Sequence, residues 1–106
     1  MRPGMSSSRV RTSIPVEFKG GEVEGSGVIR NLGAGGMFVG SQAIPEHGEA
    51  VSLRFVMPGE GKVSLTGLVW WTTRESTERR HARPGFGLRL LDPGEGYEAA
   101  VDELLR

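Results

Sequence analysis

The chain contains no cysteine and only two histidines among its 106 residues. Disulfide bonds and thiolate metal sites are therefore excluded, and the composition fits a reducing compartment. No apolar run approaches the roughly 20 residues of a membrane-spanning helix, and the N-terminus lacks the apolar core of a signal peptide. We therefore expect a cytoplasmic protein that does not insert into a membrane.

An excess of either charge is also missing, since 13 basic residues balance 13 acidic ones. Such a chain has no general attraction to nucleic acid or to an anionic membrane, so any anion site must be a local cluster. A length of 106 residues predicts one domain with one hydrophobic core. The segment MRPGMSSS lacks apolar periodicity, which predicts a flexible tail at 1–8 and the domain at 9–106.

Few residues are arranged for catalysis. His47 and His81 lie in predicted loops far apart in sequence, and neither has the neighbouring carboxylate or hydroxyl pattern of a catalytic triad. Two distant histidines without cysteine do not form a metal-binding pattern. Glu22 and Glu24 alternate on a predicted hairpin, where a carboxylate pair is more often solvated surface than an acid/base couple. We expect a protein that is not an enzyme and needs neither cofactor nor metal ion.

What the sequence has in abundance is turn-forming residues: 17 glycines and 6 prolines divide it at short intervals. Between them, apolar and polar side chains alternate with the period of β-strands. The predicted strands lie in IPVEFK, SGVIRNL, MFVG, EAVSLRFVMP, KVSLTGLVWWTT and FGLRLLD. Six short strands joined mostly by hairpin-length turns predict an all-β fold, a small antiparallel barrel.

The C-terminal segment DPGEGYEAAVDELLR changes to a helical period. Asp92 is the predicted N-cap, Pro93 the first helical residue and Glu95 the capping-box partner. One apolar face of this helix is predicted from the spacing of Tyr97, Val101, Leu104 and Leu105. We expect the helix to lie on the barrel or to close one of its ends.

Consecutive tryptophans occur near the end of the fifth predicted strand. Alternation predicts that Val69 and Trp71 face the core and that Trp70 faces outward. An outward Trp70 is either covered by the C-terminal helix or marks a protein interface.

Residues 31–39, NLGAGGMFV, place three glycines directly before an apolar run. One interpretation is a glycine-rich bulge or tight connection, with backbone angles that glycine reaches easily. The other is a turn whose backbone comes very close to a ligand. Two arginines, Arg9 and Arg11, lie just before the first predicted strand and favour the second interpretation.

This order of elements resembles the PilZ domain family, a six-stranded barrel family whose best-known ligand is cyclic di-GMP. The resemblance covers residues 9–106, and GFGLRLL and DPGEGY are similar to the family's last strand and its transition to the helix. The family is associated with bacterial motility, polysaccharide secretion and envelope regulation. The resemblance therefore implies a bacterial second-messenger receptor.

The family's ligand signature is partly present. It combines R-x-x-x-R ahead of the first strand with [D/N]-x-S-x-x-G between the second and third strands. Arg9 matches the second arginine, whereas Met5 stands at the first. Asn31 and Gly36 match the second motif, whereas Gly33 stands where serine is expected. The resemblance implies that Arg9, Asn31, Gly33 and Gly36 contact cyclic di-GMP, with Asn31 reading a guanine edge and Gly36 permitting close approach.

The two departures weaken the implied site. Arginine suits cyclic di-GMP because its planar fork binds phosphate oxygens, pairs with guanine O6 and N7 and stacks on the base. Losing one arginine removes about 1.5–3 kcal/mol, and losing the serine hydroxyl about 0.5–1.5 kcal/mol. Compensation is expected from Arg11, which we include in the ligand site, from Arg2 on the tail, or from backbone amides at Gly33.

A second basic cluster lies in the connection after the tryptophan strand. It comprises Arg79, Arg80, His81 and Arg83. The cluster is either a solvated loop or a patch that faces phosphate or a partner. Nucleic acid is not expected as a partner, because the net charge is zero and Trp70 alone is a plausible exposed platform.

Two hypotheses for function remain. The first is a receptor or adaptor that binds cyclic di-GMP and acts on a partner protein. The second is a degenerate PilZ-like barrel that binds no nucleotide and works through protein contacts at Trp70, the basic loop or residues 37–39. Both imply a protein partner, and neither predicts an oligomeric state.

Overall fold

Six strands and one helix form the fold in a computed structural model, which describes residues 8–74 and 83–106. The elements are β1 (Val10–Gly20), β2 (Val23–Leu32), β3 (Gly36–Gly40), β4 (Ala50–Met57), β5 (Gly61–Thr72), β6 (Gly85–Leu91) and α1 (Glu95–Leu105). All neighbouring strands are antiparallel, and they close into a barrel in the order β1-β2-β3-β6-β5-β4. The predicted all-β barrel with a C-terminal helix is confirmed.

Two sequence predictions lie outside the described residues. They are the tail at 1–8, of which only Ser8 is described, and the part of the basic cluster formed by Arg79, Arg80 and His81.

The hydrophobic core fills the barrel interior because apolar residues alternate along each strand. In β4, Val51, Leu53 and Phe55 are buried, whereas the outward-facing Ser52 and Arg54 are exposed. Each fully buried side chain of this size contributes roughly 1.5–3 kcal/mol. The alternation that predicted β4 therefore also determines which of its side chains lie in the core.

The first strand begins earlier than the sequence pattern predicted. β1 starts at Val10 and continues through Pro15, with a register shift against β2 between Arg11 and Ile14. Pro15 lies outside the pairing of β1 with β4, which begins at Val16. This position suits a residue that cannot donate a ladder hydrogen bond.

The predicted orientation of Trp71 is wrong. A register shift between Val69 and Trp71 interrupts the alternation of β5 against β6, as an extra residue in one strand does. Trp71 is therefore 42% exposed instead of facing the core, and Thr72 is buried. Trp70 is 54% exposed, so α1 does not cover it.

The predicted start of the helix is also wrong. α1 begins at Glu95 with Gly94 as its N-cap, and no side chain caps it. Asp92 has φ 46° and Gly94 has φ 93°, so the chain turns away from β6 before the helix starts. Asp92 is therefore part of this turn and not a cap.

The helix packs its first two turns against the barrel. Tyr97, Ala100 and Val101 are buried in the core, whereas Leu104 is half-buried and Leu105 is 42% exposed. The predicted apolar face is thus buried only over its N-terminal part. Within residues 8–74 and 83–106, no helix is long and apolar enough to cross a membrane.

Candidate functional site

A cleft of about 770 Å³ lies over β3, β6 and β5. This volume falls within the roughly 300–1,000 Å³ of small-molecule sites. The described lining combines cations and aromatic rings with a floor of glycines and apolar residues: Arg9, Arg83, Arg89, Phe38, Trp70, Trp71, Asn31, Gly35, Gly36, Met37, Gly87 and Leu88. None of these residues is acidic, so the cleft favours an anionic ligand that carries flat rings.

One end of the cleft is formed by Arg9 and Asn31. The Nη1 atom of Arg9 donates a hydrogen bond to Oδ1 of Asn31 at 2.7 Å. Pairing of Arg11 with Asn31 across β1 and β2 brings the two segments together. A guanidinium carries five N–H donors and the Asn31 amide carries two more, so this contact leaves donors for a ligand.

The glycine-rich turn between β2 and β3 closes tightly at the same end. The amide of Gly33 donates to the carbonyl of Gly36 at 2.8 Å, and the amide of Leu90 donates to the carbonyl of Gly35 at 2.9 Å. The Gly33 amide is therefore bonded within the turn.

Gly33 and Gly36 are required for space rather than for backbone angle. None of Gly33, Gly35 and Gly36 is among the described residues with a positive φ, which corrects the expectation of unusual backbone angles. A Cβ atom at Gly36 would lie 2.7 Å from the Leu88 carbonyl oxygen and 3.2 Å from Nη2 of Arg9, whereas one at Gly35 would meet open space. Gly36 thus allows β3 to approach both β6 and Arg9 closely.

The turn is also bonded to the C-terminal helix. The hydroxyl of Tyr97 donates to the carbonyl of Gly33 at 2.8 Å in a buried position. Burial raises the pKa of Tyr97 well above its ordinary value, and the positive charge of Arg9 opposes this shift only in part. Tyr97 therefore stays protonated and keeps its donor role at neutral pH.

Two rows of paired residues, each running across β3, β6 and β5, form the floor of the cleft. In the first row Arg89 pairs with Gly36 on one side and with Leu68 on the other, and its Cζ atom lies 4.9 Å from the Trp70 ring centroid. This distance is that of a cation–π contact. The row therefore presents a cation and an exposed indole side by side.

In the second row Phe38 and Trp71 close over Gly87. Both residues pair with Gly87, from β3 and β5 respectively. Their rings stack with centroids 5.3 Å apart and planes 19° apart. A Cβ atom at Gly87 would overlap the indole of Trp71, so glycine is needed for the ring to lie over the strand.

The predicted site residues divide into two groups. Arg9, Asn31 and Gly36 line the cleft together. Arg11 is exposed on β1 beside Asn31, and Gly33 is buried within the turn; neither lines the cleft. Their roles in ligand binding stay predictions.

Sequence reasoning missed several residues of the floor. The sequence pattern placed Phe38 in an apolar strand and, under the second hypothesis, in a protein-contact segment at 37–39, but not in a ligand site. The period of two assigned Trp71 to the core, because it carries no sign of the register shift. Arg89 alternates outward between the buried Leu88 and Leu90, and this spacing was the available signal for its exposure. Arg83, from the predicted basic cluster, does line the cleft.

Nearly the whole chain matches one known protein family. The profile of the PilZ domain family matches residues 5–106. The chain belongs to the PilZ domain family. PilZ domains are generally receptor or adaptor domains and are not known to use cofactors. In the described part of this PilZ domain, no cluster of three or more histidine, aspartate or glutamate residues could hold a metal ion.

Solved structures agree with this fold. The PilZ domain is similar to the inhibitor of motility MotI/DgrA of Bacillus subtilis, with a TM-score of 0.73 and 18% identity over 92% of this chain. It spans about half of that protein, 48% of its length. It is also similar to the PilZ domain of CeSA from a cellulose-synthesizing bacterium, with a TM-score of 0.59, 24% identity and coverage of 92% and 94% of the two chains. Among curated proteins, no sequence matches significantly.

Proposed function

We propose that this PilZ domain binds cyclic di-GMP in the cleft over β3, β6 and β5 and acts, without catalysis, on a partner protein in the cytoplasm. The observation that carries the proposal is the contact between Arg9 and Asn31, 2.7 Å long, at one end of the cleft. These two residues match the family's ligand signature, and they meet although they are distant in sequence.

The charge of the cleft supports an anionic ligand. Arg9, Arg83 and Arg89 line it without an acidic residue among the described lining. Guanidinium groups bind phosphate oxygens through charge-assisted hydrogen bonds, which are stronger than neutral ones. A ligand with two phosphates would offset charge that the described lining itself does not neutralise.

The aromatic residues support a ligand with bases. Trp70 and Trp71 are both partly exposed, and Phe38 extends the aromatic surface. Nucleobases stack on such rings, and each stacked base contributes about 1–3 kcal/mol. Cyclic di-GMP combines two bases with two phosphates in one small molecule, which matches this combination of rings and cations.

Calorimetric titration of the domain with cyclic di-GMP, with GTP as the control ligand, tests the proposal. We expect low-micromolar binding to cyclic di-GMP and weaker binding to GTP. The double variant Arg9→Ala/Asn31→Ala should lose at least about tenfold in affinity, because it removes a charge-assisted contact. Arg54→Ala is the matched control, since Arg54 is an exposed arginine outside the cleft that pairs with Glu17 at 2.8 Å.

Unchanged affinity in the double variant would show that the ligand binds elsewhere. Absence of heat and of thermal stabilisation at about 100 µM ligand would reject the nucleotide proposal.

The exposure of Trp70 favours a second candidate, a PilZ domain that contacts a protein without nucleotide. An indole that is 54% exposed is typical of residues that anchor protein interfaces. Affinity capture with wild type and Trp70→Ala, each with and without cyclic di-GMP, separates the candidates. A partner that depends on Trp70 but not on the nucleotide would support the second candidate, and one that depends on the nucleotide would support the first.

A further inference from the structure

Arg89 and Arg54 are both exposed arginines on strands of the barrel, but their side chains have different partners. Arg54 is neutralised by Glu17, whose Oε1 atom lies 2.8 Å from its Nη2. Arg89 instead lies against the Trp70 ring at 4.9 Å and forms no ion pair within residues 8–74 and 83–106. Its position is therefore defined by an aromatic ring, and its charge is not neutralised by a carboxylate of that part of the chain.

The position of Arg89 places this charge at the centre of the cleft. Its backbone pairs with Gly36, the last residue of the glycine-rich motif, on one side and with Leu68 of β5 on the other. Arg89 thus lies between the turn that carries the family motif and the exposed indole of Trp70. Because the guanidinium lies over the Trp70 ring, a base that stacks on that face takes the place of the guanidinium and has it at its edge.

We propose that Arg89, held against Trp70, recognises a guanine base of the ligand and replaces the arginine that is missing at Met5. This inference rests on the proposed binding of cyclic di-GMP. Guanine presents two acceptors, O6 and N7, which match the paired N–H donors of a guanidinium, whereas adenine presents an N6 donor in place of O6. Arg89 therefore determines the preference for guanine over adenine.

The test is the dissociation constant of cyclic di-GMP and of cyclic di-AMP for wild type, Arg89→Met, Arg89→Lys and the control Arg54→Met. Wild type should prefer cyclic di-GMP. Arg89→Met should weaken cyclic di-GMP binding by about five- to a hundredfold and leave cyclic di-AMP binding nearly unchanged, which removes the preference. Arg89→Lys should retain only part of the preference, because an ammonium reaches O6 and N7 without the planar fork of a guanidinium. Arg54→Met should bind like wild type.

The variants are expected to fold, since Arg89 is exposed and its side chain leaves the core untouched. Thermal unfolding of each variant checks this.

Trp70→Phe and Trp70→Leu provide an independent measurement at the stacking ring. Trp70→Phe should keep most of the affinity and the guanine preference, and Trp70→Leu should lose both.

Each remaining outcome overturns the inference in a distinguishable way. Equal loss for both dinucleotides in Arg89→Met, with recovery in Arg89→Lys, would mean that Arg89 binds phosphate and not guanine. If Arg89→Met binds cyclic di-GMP with wild-type affinity, Arg89 is not part of the ligand site, and the proposed function is unaffected. Failure of wild type itself to bind cyclic di-GMP would overturn the proposed function and this inference together.

Discussion

The wall of the barrel formed by β1 and β4 and the wall formed by β3, β6 and β5 treat their outward-facing side chains differently. On the first wall Arg54 and Glu17 form an ion pair at 2.8 Å, and their charges cancel. On the second wall Arg89 lies against Trp70, and Trp71 stacks on Phe38. The first wall contains an ion pair formed by its own residues, whereas the second presents cations and aromatic rings to solvent.

The strand pairings also differ in regularity. Both pairings of β4, with β1 and with β5, keep one register throughout. Register shifts occur between Arg11 and Ile14, between Ile29 and Asn31, and between Val69 and Trp71. Since bulges redirect side chains, the irregular pairings are those that place Asn31 and Trp71 at the cleft. The pairing of β3 with β6 at the floor of the cleft is itself regular, so the register shifts add Asn31 and Trp71 to a wall whose central pairing is regular.

The largest expected effect is a loss of folding stability when a core residue of β4 is shortened. Leu53→Ala on β4 should lower the free energy of unfolding by about 2–5 kcal/mol, because it leaves a cavity at a fully buried position. Urea denaturation measures this loss. The neighbouring Arg54→Ala is the control and should cost at most about 1 kcal/mol, as exposed ion pairs do. A loss below about 1 kcal/mol for Leu53→Ala would contradict the assignment of this wall to the core.

The next effect concerns the glycine-rich turn. Gly36→Ala should lower the free energy of unfolding by about 1–3 kcal/mol, because the added Cβ would lie 2.7 Å from the Leu88 carbonyl oxygen. The same change should weaken cyclic di-GMP binding, since it also displaces Arg9. Gly35→Ala is the matched control: its Cβ meets open space, so unfolding should change by less than about 0.5 kcal/mol. Equal effects in the two variants would mean that close approach at Gly36 is not required.

A smaller effect is expected beneath the cleft. Tyr97→Phe removes the donor to the buried Gly33 carbonyl and should lower the free energy of unfolding by about 1–2 kcal/mol. Hydrogen exchange of the turn should also accelerate. Leu105→Ala, at an exposed helix position, controls for general weakening of α1. Unchanged exchange in Tyr97→Phe would show that this hydrogen bond does not hold the turn.

Tyr97 also predicts how stability depends on alkaline pH. Its folded-state pKa is raised above the ordinary value of 10.0, so the folded protein holds this proton more tightly than the unfolded chain does. The contribution of Tyr97 is fully present below pH 10 and is lost as the pH rises further. Urea denaturation of wild type and Tyr97→Phe at pH 8 to 11 measures it. The stability advantage of wild type should shrink above pH 10, and a constant advantage would contradict the shift.

The smallest effect is expected at the stacked pair. Phe38→Leu should lower the free energy of unfolding by about 0.5–1.5 kcal/mol, because it removes an aromatic contact with Trp71 but keeps an apolar side chain. Its effect should be smaller than that of Leu53→Ala. An equal or greater cost would mean that the cleft wall supports the fold as much as the core wall does.

The regular strand β4 was predictable from sequence, and the bulged end of β5 was not. Alternation in β4 correctly assigned Val51, Leu53 and Phe55 to the core, because a strand without bulges has a strict period of two. The same rule failed at Trp71, since one register shift turns the following side chains to the other face. The sequence contains no local signal that marks this shift.

The candidate site was predictable only where a motif or a spacing pointed to it. Arg9, Asn31 and Gly36 were found through the resemblance to the PilZ domain family, and they line the cleft. Trp71 and Arg89 come to the cleft through the pairing of β5 with β6, a long-range arrangement that a single strand pattern does not encode. The helix start was missed for a related reason, because the turn at Asp92 and Gly94 serves the packing of α1 on the barrel.

The placement of both tryptophans gives the protein an optical property. The chain has two tryptophans, Trp70 and Trp71, and both line the cleft. Its intrinsic indole fluorescence therefore originates entirely at the candidate site. A purine that stacks there would quench this emission, so the unlabelled protein can report occupancy of the cleft in a single cuvette.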